Sequence, residues 1–120
     1  MARVLIVDDH ALNAELAAFV LQQAGIDVRV AADAEQALVE LARERPDLVL
    51  MDIQLPGIDG LALTRRIRSE PAWQRIVVVA MTAFAMKGDS ARFLEAGCNG
   101  YLSKPIDVET FASEVLAHLA

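Results

Sequence analysis

Hydrophobic positions along the chain form short, uninterrupted runs that alternate with segments of helical spacing. The runs at residues 4–7, 48–51 and 76–81 have the length and continuous apolar character of strands buried on both faces of a sheet. At residues 26–30 apolar and charged residues alternate, so we expect this strand nearer the sheet edge. Another strand is expected near Tyr101, which makes five in all.

The segments between these runs predict helices. Apolar residues three and four positions apart, such as Leu12, Leu16 and Phe19, indicate the first of them. Strands that alternate with helices imply right-handed crossovers and a parallel sheet covered on both faces. The predicted fold is therefore α/β, a doubly wound five-stranded parallel sheet, with helices at about residues 12–24, 33–45, 60–69, 89–96 and 107–119.

The composition narrows the classes of function. Hydrophobic residues make up 55% of the 120 residues and mean hydropathy is +0.36, which favours a well-filled core. Eleven Lys and Arg against 17 Asp and Glu give a net charge of −6, which disfavours direct binding to nucleic acid or an anionic membrane. The chain has no signal-peptide pattern and no apolar run of the about 20 residues needed for membrane insertion. The single Cys98 cannot form an internal disulfide, so we expect a cytoplasmic domain.

Polar residues follow the predicted strands at the points where the strands end. Asp8 and Asp9 follow the first run, Asp52 the third strand, Thr82 the fourth, and Lys104 the fifth. Since parallel strands end at one edge of the sheet, these side chains should converge there. Carboxylates suit Mg²⁺, and a carboxylate beside a cation can attack an activated phosphoryl group.

The three carboxylates should also repel one another in the absence of a cation. We therefore expect at least one of Asp8, Asp9 and Asp52 to have a pKa raised by like-charge repulsion, which Mg²⁺ would lower. His10 lies beside two of these acids, and a metal-binding or phosphohistidine role can be considered for it. We interpret it as an ordinary loop residue, because a phosphodonor histidine is expected on a partner's helix.

Four motifs lie at the predicted strand ends: Val7-Asp8-Asp9, Met51-Asp52 followed by residues 55–60, Met81-Thr82-Ala83, and Tyr101-Leu102-Ser103-Lys104-Pro105. Together they resemble the receiver domain of two-component response regulators. The resemblance covers essentially the whole chain, and the run at residues 82–89 is similar to single-domain cell-cycle regulators. It implies a flavodoxin-like (βα)5 receiver fold and one receiver domain at residues 1–120 with no output domain.

The resemblance also implies a role for each motif residue. Asp52 would accept a phosphoryl group from a partner's phosphohistidine, in a switch that catalyses only its own phosphorylation and dephosphorylation. Mg²⁺ would be bound directly by Asp9, Asp52 and the backbone carbonyl of Gln54, with Asp8 acting through water.

The remaining motif residues would hold and report the phosphoryl group. Thr82, Lys104 and the backbone N–H of Ala83 would bind its oxygens. Tyr101 would turn inward when the Thr82 hydroxyl moves toward the phosphoryl group. A static role for this tyrosine at the rim of the core is also open.

The expected partners are a histidine kinase or histidine phosphotransferase and a downstream protein effector, with the chain a monomer or weak dimer. One alternative is a receiver domain that belongs to a larger regulator or a hybrid histidine kinase. Another is a Mg²⁺-dependent phosphohydrolase, which the glutamine at Gln54 disfavours because related phosphatases place a second Asp there. A receiver-like interaction module that is never phosphorylated is a further alternative, and the intact acidic set argues against it.

Overall fold

The structure is a computed structural model that describes residues 2–55, 59–82, 89–104 and 106–119. Its described residues form five strands: β1 (Arg3–Val7), β2 (Asp27–Ala31), β3 (Leu48–Asp52), β4 (Val77–Thr82) and β5 (Gly100–Ser103). They pair in one parallel sheet in the order β2-β1-β3-β4-β5. The strand β2 lies at the edge, as the alternating pattern predicts.

Helices follow the strands in alternation, so the predicted doubly wound α/β fold is confirmed. The helices are α1 (Ala11–Gln23), α2 (Ala34–Arg43), α3 (Gly60–Arg68), α4 (Asp89–Ala96) and α5 (Phe111–Ala117). Two of them begin at aspartates whose side chains accept a hydrogen bond from the first turn: Asp33 caps α2 and Asp59 caps α3. A short 3₁₀ turn at Pro71–Trp73 precedes β4.

The sheet separates two apolar cores, because successive residues of the central strands point to opposite faces. One core packs Leu5, Val49 and Val78 against α2, α3 and α4. The other packs Ile6 and Leu50 against α1 and α5. All five residues of β3 are buried, in agreement with a strand covered on both sides.

The face of α1 that packs against the sheet consists of Ala14, Ala17 and the fully buried Leu21. By contrast, Leu12 is 80% exposed, Leu16 45% and Phe19 57%. These three residues, whose spacing predicts the helix, therefore lie largely outside the core, and α1 carries an apolar stripe on the surface. Among the described residues, no helix is long and apolar enough to cross a membrane.

Candidate functional site

The register of the sheet brings the ends of β1, β3, β4 and β5 to one edge. Val7 pairs with Met51, and the next residue, Asp52, pairs with Met81. The following register position places Thr82 beside Ser103, and the backbone N–H of Lys104 donates to the Thr82 carbonyl at 2.8 Å. The predicted convergence of the polar strand ends is therefore what the structure shows.

Lys104 lies between two buried carboxylates at this edge. Its Nζ is 3.1 Å from Oδ1 of Asp52 and 3.6 Å from Oδ2 of Asp8. The side chains of Lys104, Asp8 and Asp52 are 18%, 9% and 4% exposed, so water screens these charges weakly. One ammonium faces two carboxylates, and the site keeps a negative charge when both are ionised.

Burial is the main reason that the pKa of Asp52 is raised above its usual value of 3.8. A hydrogen bond from the backbone N–H of Gln54 and the contacts with Lys104 act in the opposite direction, and the charge of Asp8 adds the smallest contribution upward. The predicted rise in pKa among the three acids is confirmed for Asp52. The predicted cause is wrong in emphasis, since desolvation outweighs like-charge repulsion.

Four side chains form a cluster that could hold a metal ion. Asp8, Asp9, His10 and Asp52 each offer a ligand atom, and these atoms all lie within 4.8 Å of one another. Oδ2 of Asp52 is buried and has no hydrogen-bond partner among the described residues. An orphaned carboxylate oxygen beside two further carboxylates fits Mg²⁺, which prefers oxygen ligands and keeps several waters.

The structure brings Asp8, Asp9 and Asp52 together, as predicted. It does not show which of them binds a metal ion directly and which acts through water. Asp8 is fixed in place because its Oδ1 accepts the backbone N–H of His10 at 2.9 Å. Gln54 lies at the same edge, where its N–H donates to Oδ1 of Asp52 at 3.1 Å. Its predicted role as a carbonyl ligand stays a prediction.

The predicted phosphoryl-binding and switch residues differ in their surroundings. Thr82 is buried at the end of β4, directly after Met81, which pairs with Asp52. Ala83, predicted to offer its backbone N–H, lies outside the described residues. Tyr101 is 41% exposed, and its ring packs against Phe93 with centroids 5.6 Å apart at 59°. Tyr101 therefore occupies an outward position, and its predicted inward movement remains a prediction.

His10 is a loop residue directly before α1, as interpreted from the sequence. Its Nδ1 lies 3.3 Å from Asp9 and 3.4 Å from Asp8, so its side chain also belongs to the cluster. A cavity of about 170 Å³ opens at the site, between the sheet and α1 at Ala17, and the sequence did not predict it. The cavity depends on which face of α1 turns inward, and the spacing of apolar residues alone does not determine that face.

The sequence of the chain matches the family model of the response regulator receiver domain over residues 4–116. The chain therefore belongs to this family, and it is a receiver domain of two-component signalling. The fold, the order of motifs and the acidic cluster agree with that membership.

Individual relatives support the same conclusion. The chain is 43% identical to the polar-differentiation response regulator DivK of Brucella anthropi, over 97% of this chain and 94% of that protein. Among solved structures, a putative response regulator from Chloroflexus aurantiacus matches with a TM-score of 0.91 and 36% identity, over 98% of this chain and 97% of that chain. The chemotaxis response regulator CheY4 of Vibrio cholerae matches with a TM-score of 0.93 and 26% identity, over 98% of both chains.

Proposed function

We propose that Asp52 is the phosphoacceptor of this receiver and that the chain acts as a signalling switch. The observation that supports this most strongly is the condition of its carboxylate. Oδ1 is held by Lys104 and by the Gln54 N–H, whereas the buried Oδ2 has no hydrogen-bond partner among the described residues. An oxygen with free lone pairs on an otherwise fixed side chain suits nucleophilic attack on phosphorus.

The proposed reaction moves one phosphoryl group between two nucleophiles. The carboxylate of Asp52 forms a bond to the phosphorus of a partner's phosphohistidine, and the phosphorus–nitrogen bond breaks with its electron pair on the leaving imidazole. Lys104, the Thr82 hydroxyl and the Ala83 N–H would hold the phosphoryl oxygens. Mg²⁺, when bound by Asp9, Asp52 and the Gln54 carbonyl with Asp8 acting through water, would offset the negative charge on those oxygens.

Intact-mass measurement after incubation with acetyl phosphate and Mg²⁺ tests this proposal. The wild type should gain one phosphoryl group, and Asp52→Asn should gain none. Asp27→Asn is a matched control, since it removes the same charge from an exposed position on β2. An adduct that persists in Asp52→Asn would refute the assignment of the site.

We also propose that the chain is a switch and not a phosphohydrolase, so that it does not hydrolyse external phosphate esters. Gln54 supports it, since the carboxylic acid that a phosphohydrolase would need at that position is replaced by an amide. Steady Mg²⁺-dependent release of phosphate from a small monoester, abolished in Asp52→Asn, would contradict it.

We also propose that the apolar stripe of α1 contacts the histidine kinase or phosphotransferase that donates the phosphoryl group. Leu12 and Phe19 are 80% and 57% exposed on the helix that begins directly after the acidic cluster. A partner seated there would have its phosphohistidine close to Asp52. The effector would then use a separate face that includes Leu94 on α4 and Tyr101 on β5, which are also exposed.

Alanine variants separate these two surfaces. Phe19→Ala should slow phosphotransfer from a phosphorylated kinase while leaving labelling by acetyl phosphate at the wild-type rate, because only the former needs a protein contact. Leu94→Ala is the matched control on α4 and should leave the kinase reaction unchanged. Equal losses in both variants would argue against a kinase surface on α1.

The chain is proposed to work as a free-standing, cytoplasmic receiver, as a monomer or weak dimer. The match to 94% of the length of DivK from Brucella anthropi supports the first point, and a buried free thiol at Cys98 is consistent with a reducing compartment. Fractionation of the source cells and size-exclusion chromatography before and after phosphorylation test these points.

A further inference from the structure

The imidazole of His10 turns toward the acidic cluster. His10 is the N-cap residue of α1, but within the described part of the chain its side chain makes no capping hydrogen bond. Its Nδ1 instead lies 3.3 Å from Oδ1 of Asp9 and 3.4 Å from Oδ1 of Asp8. The side chain is 62% exposed, so an ion from solvent can reach this nitrogen.

These separations match the spacing of ligands on one ion. Zinc-type bonds to nitrogen and oxygen place the ligand atoms of a tetrahedral site about 3.3 Å apart. Asp52 adds an independent indication, because its Oδ2 is buried, lacks a hydrogen-bond partner among the described residues, and belongs to a side chain of the same cluster. A buried carboxylate oxygen without a partner is costly unless a cation or a proton satisfies it.

We propose that His10 is a nitrogen ligand, and that His10, Asp8, Asp9 and Asp52 bind a divalent transition-metal ion of the Zn²⁺ or Co²⁺ type. The proposal deepens the metal role proposed above and rests on it, since three of the four ligands are the same carboxylates. What it adds is the nitrogen donor and the class of ion that this donor selects.

The chemistry of the donors carries this selectivity. Mg²⁺ gains little from a nitrogen ligand, because it is a hard cation that binds carboxylates, carbonyls and water. Imidazole suits zinc and the later transition metals, whose affinity for a mixed nitrogen and oxygen site exceeds that of earlier ions of the series. His10 therefore raises the preference of the cluster for Co²⁺ or Zn²⁺ over Mg²⁺.

Titration of the purified protein with Co²⁺ and, separately, with Mg²⁺ tests the proposal. Calorimetry gives both dissociation constants, and the visible absorption of bound Co²⁺ reports its coordination, which should change in His10→Ala if the imidazole is a ligand. His10→Ala should lower the preference for Co²⁺ over Mg²⁺ by at least about tenfold, judged from the loss that weaker, outer-shell changes cause. His118→Ala is the matched control, because His118 is the only other histidine of the chain and lies just beyond α5.

Proton NMR gives a second readout that distinguishes a ligand from a neighbouring side chain. A ligated imidazole receives unpaired spin from Co²⁺ through the metal–nitrogen bond, so the ring resonances of His10 should show large contact shifts, beyond the broadening that proximity to the ion causes, whereas those of His118 should change little. The proposal is overturned if His10→Ala leaves the preference for Co²⁺ unchanged, or weakens Co²⁺ and Mg²⁺ equally. It is also overturned if the His10 resonances are unaffected by Co²⁺.

Its failure is distinguishable from failure of the proposed function. If the wild type is phosphorylated on Asp52 with Mg²⁺ and His10→Ala leaves the Co²⁺ affinity unchanged, the proposed nitrogen ligand is wrong and the proposed switch function stands. If the wild type binds Co²⁺ through His10 but is never phosphorylated, the nitrogen ligand stands and the proposed switch function is wrong. Urea unfolding of both histidine variants checks that each is folded.

Discussion

Nζ of Lys104 lies 3.1 Å from Oδ1 of Asp52, and the two side chains are 18% and 4% exposed. This ion pair links the end of β5 to the end of β3 across the intervening strand β4. Because both partners are largely withdrawn from water, Asp52 depends on this cation for its charge to be tolerated, whereas Lys104 also has Asp8 as a second partner at 3.6 Å. Lys104 is therefore a structural support of Asp52 before any phosphoryl group arrives.

Lys104→Met should destabilise the metal-free protein at neutral pH. Asp52 would lose the cation that lowers its pKa, and a buried, poorly paired carboxylate costs about 1–3 kcal/mol. Urea unfolding in a chelator measures the loss. The double variant with Asp52→Asn should recover most of it, since the uncompensated charge is then gone. A loss of the same size in both backgrounds would show that the lysine acts through packing alone.

Asp52→Asn should stabilise the metal-free protein, and the gain should depend on pH. Burial raises the pKa of Asp52 above 3.8, so between that value and the raised one the folded protein holds more protons than the unfolded chain. The stability of the wild type therefore falls as pH rises through this window, and the amide variant escapes that fall.

Urea unfolding in a chelator from acid to neutral pH measures this effect. The advantage of Asp52→Asn should be smallest below pH 3.8 and reach a plateau above the folded-state pKa. Asp27→Asn, which removes a charge from an exposed position, should show no such rise. A constant difference between Asp52→Asn and the wild type would contradict the prediction.

Gly60→Ala should destabilise the fold at the site itself. A Cβ at Gly60 would overlap the backbone carbonyl of Asp52 and lie 2.9 Å from the Cα of Ile53, so β3 or α3 would have to shift. We expect a loss of about 1–3 kcal/mol and slower labelling of Asp52. Gly25→Ala is the control: it has a φ of +81° and open space around its Cβ, so it should cost about 1 kcal/mol and leave labelling unchanged.

The parts of the fold that follow from periodicity and strand ends could be predicted from the sequence. The continuous run of Leu48 to Met51 needs burial on both faces, which a parallel sheet between helices provides. Once the strands are parallel, the positions of Asp52, Thr82 and Lys104 follow from where the apolar runs stop. The site could be predicted because its residues lie at the ends of strands, where the apolar runs stop.

Features that depend on which face packs inward could not be predicted in the same way. Phe19 and Leu12 have the spacing of a buried stripe, yet Ala14, Ala17 and Leu21 form the buried face of α1. The direction of the His10 imidazole likewise depends on its side-chain torsions, which the sequence does not specify. The balance of burial and repulsion at Asp52 required the actual packing around the carboxylate.

Arg68, whose importance the sequence did not indicate, should be a major contributor to stability. Its guanidinium donates to the carbonyls of Gly97 and Ile76 at 2.9 and 2.7 Å and to the side chain of Asn99 at 2.8 Å. These bonds tie α3 to the segment between α4 and β5 and to the residue before β4. Arg68→Met should cost about 1–3 kcal/mol, because the part-buried carbonyls of Gly97 and Ile76 would lose their donor.

Two further variants show whether the geometry of the Arg68 guanidinium matters. Arg68→Lys should recover less than half of the loss, since one ammonium cannot reach acceptors on different segments. Arg65→Met, on the exposed face of the same helix, should change the free energy of unfolding by less than about 0.5 kcal/mol. Full rescue by lysine would contradict this explanation.

Phosphorylation should withdraw Tyr101 from solvent. It is 41% exposed in the structure, with its ring against Phe93, and the resemblance to receivers predicts an inward turn once Thr82 moves toward the phosphoryl group. Tyr101 is the only tyrosine of the chain, so one fluorotyrosine resonance reports on it alone. Its solvent-isotope shift should fall in proportion to the phosphorylated fraction measured by mass in the same sample.

The variants Asp52→Asn and Thr82→Ala separate phosphorylation from its readout at Tyr101. Asp52→Asn should show neither the phosphoryl mass nor the change at the tyrosine. Thr82→Ala should still be labelled, because the nucleophile is intact, but its tyrosine should stay more exposed than in the phosphorylated wild type. If the wild type is fully phosphorylated and the isotope shift of Tyr101 is unchanged, Tyr101 has a static position at the rim of the core. Any change of the surface on phosphorylation would then involve α4 without a movement of Tyr101.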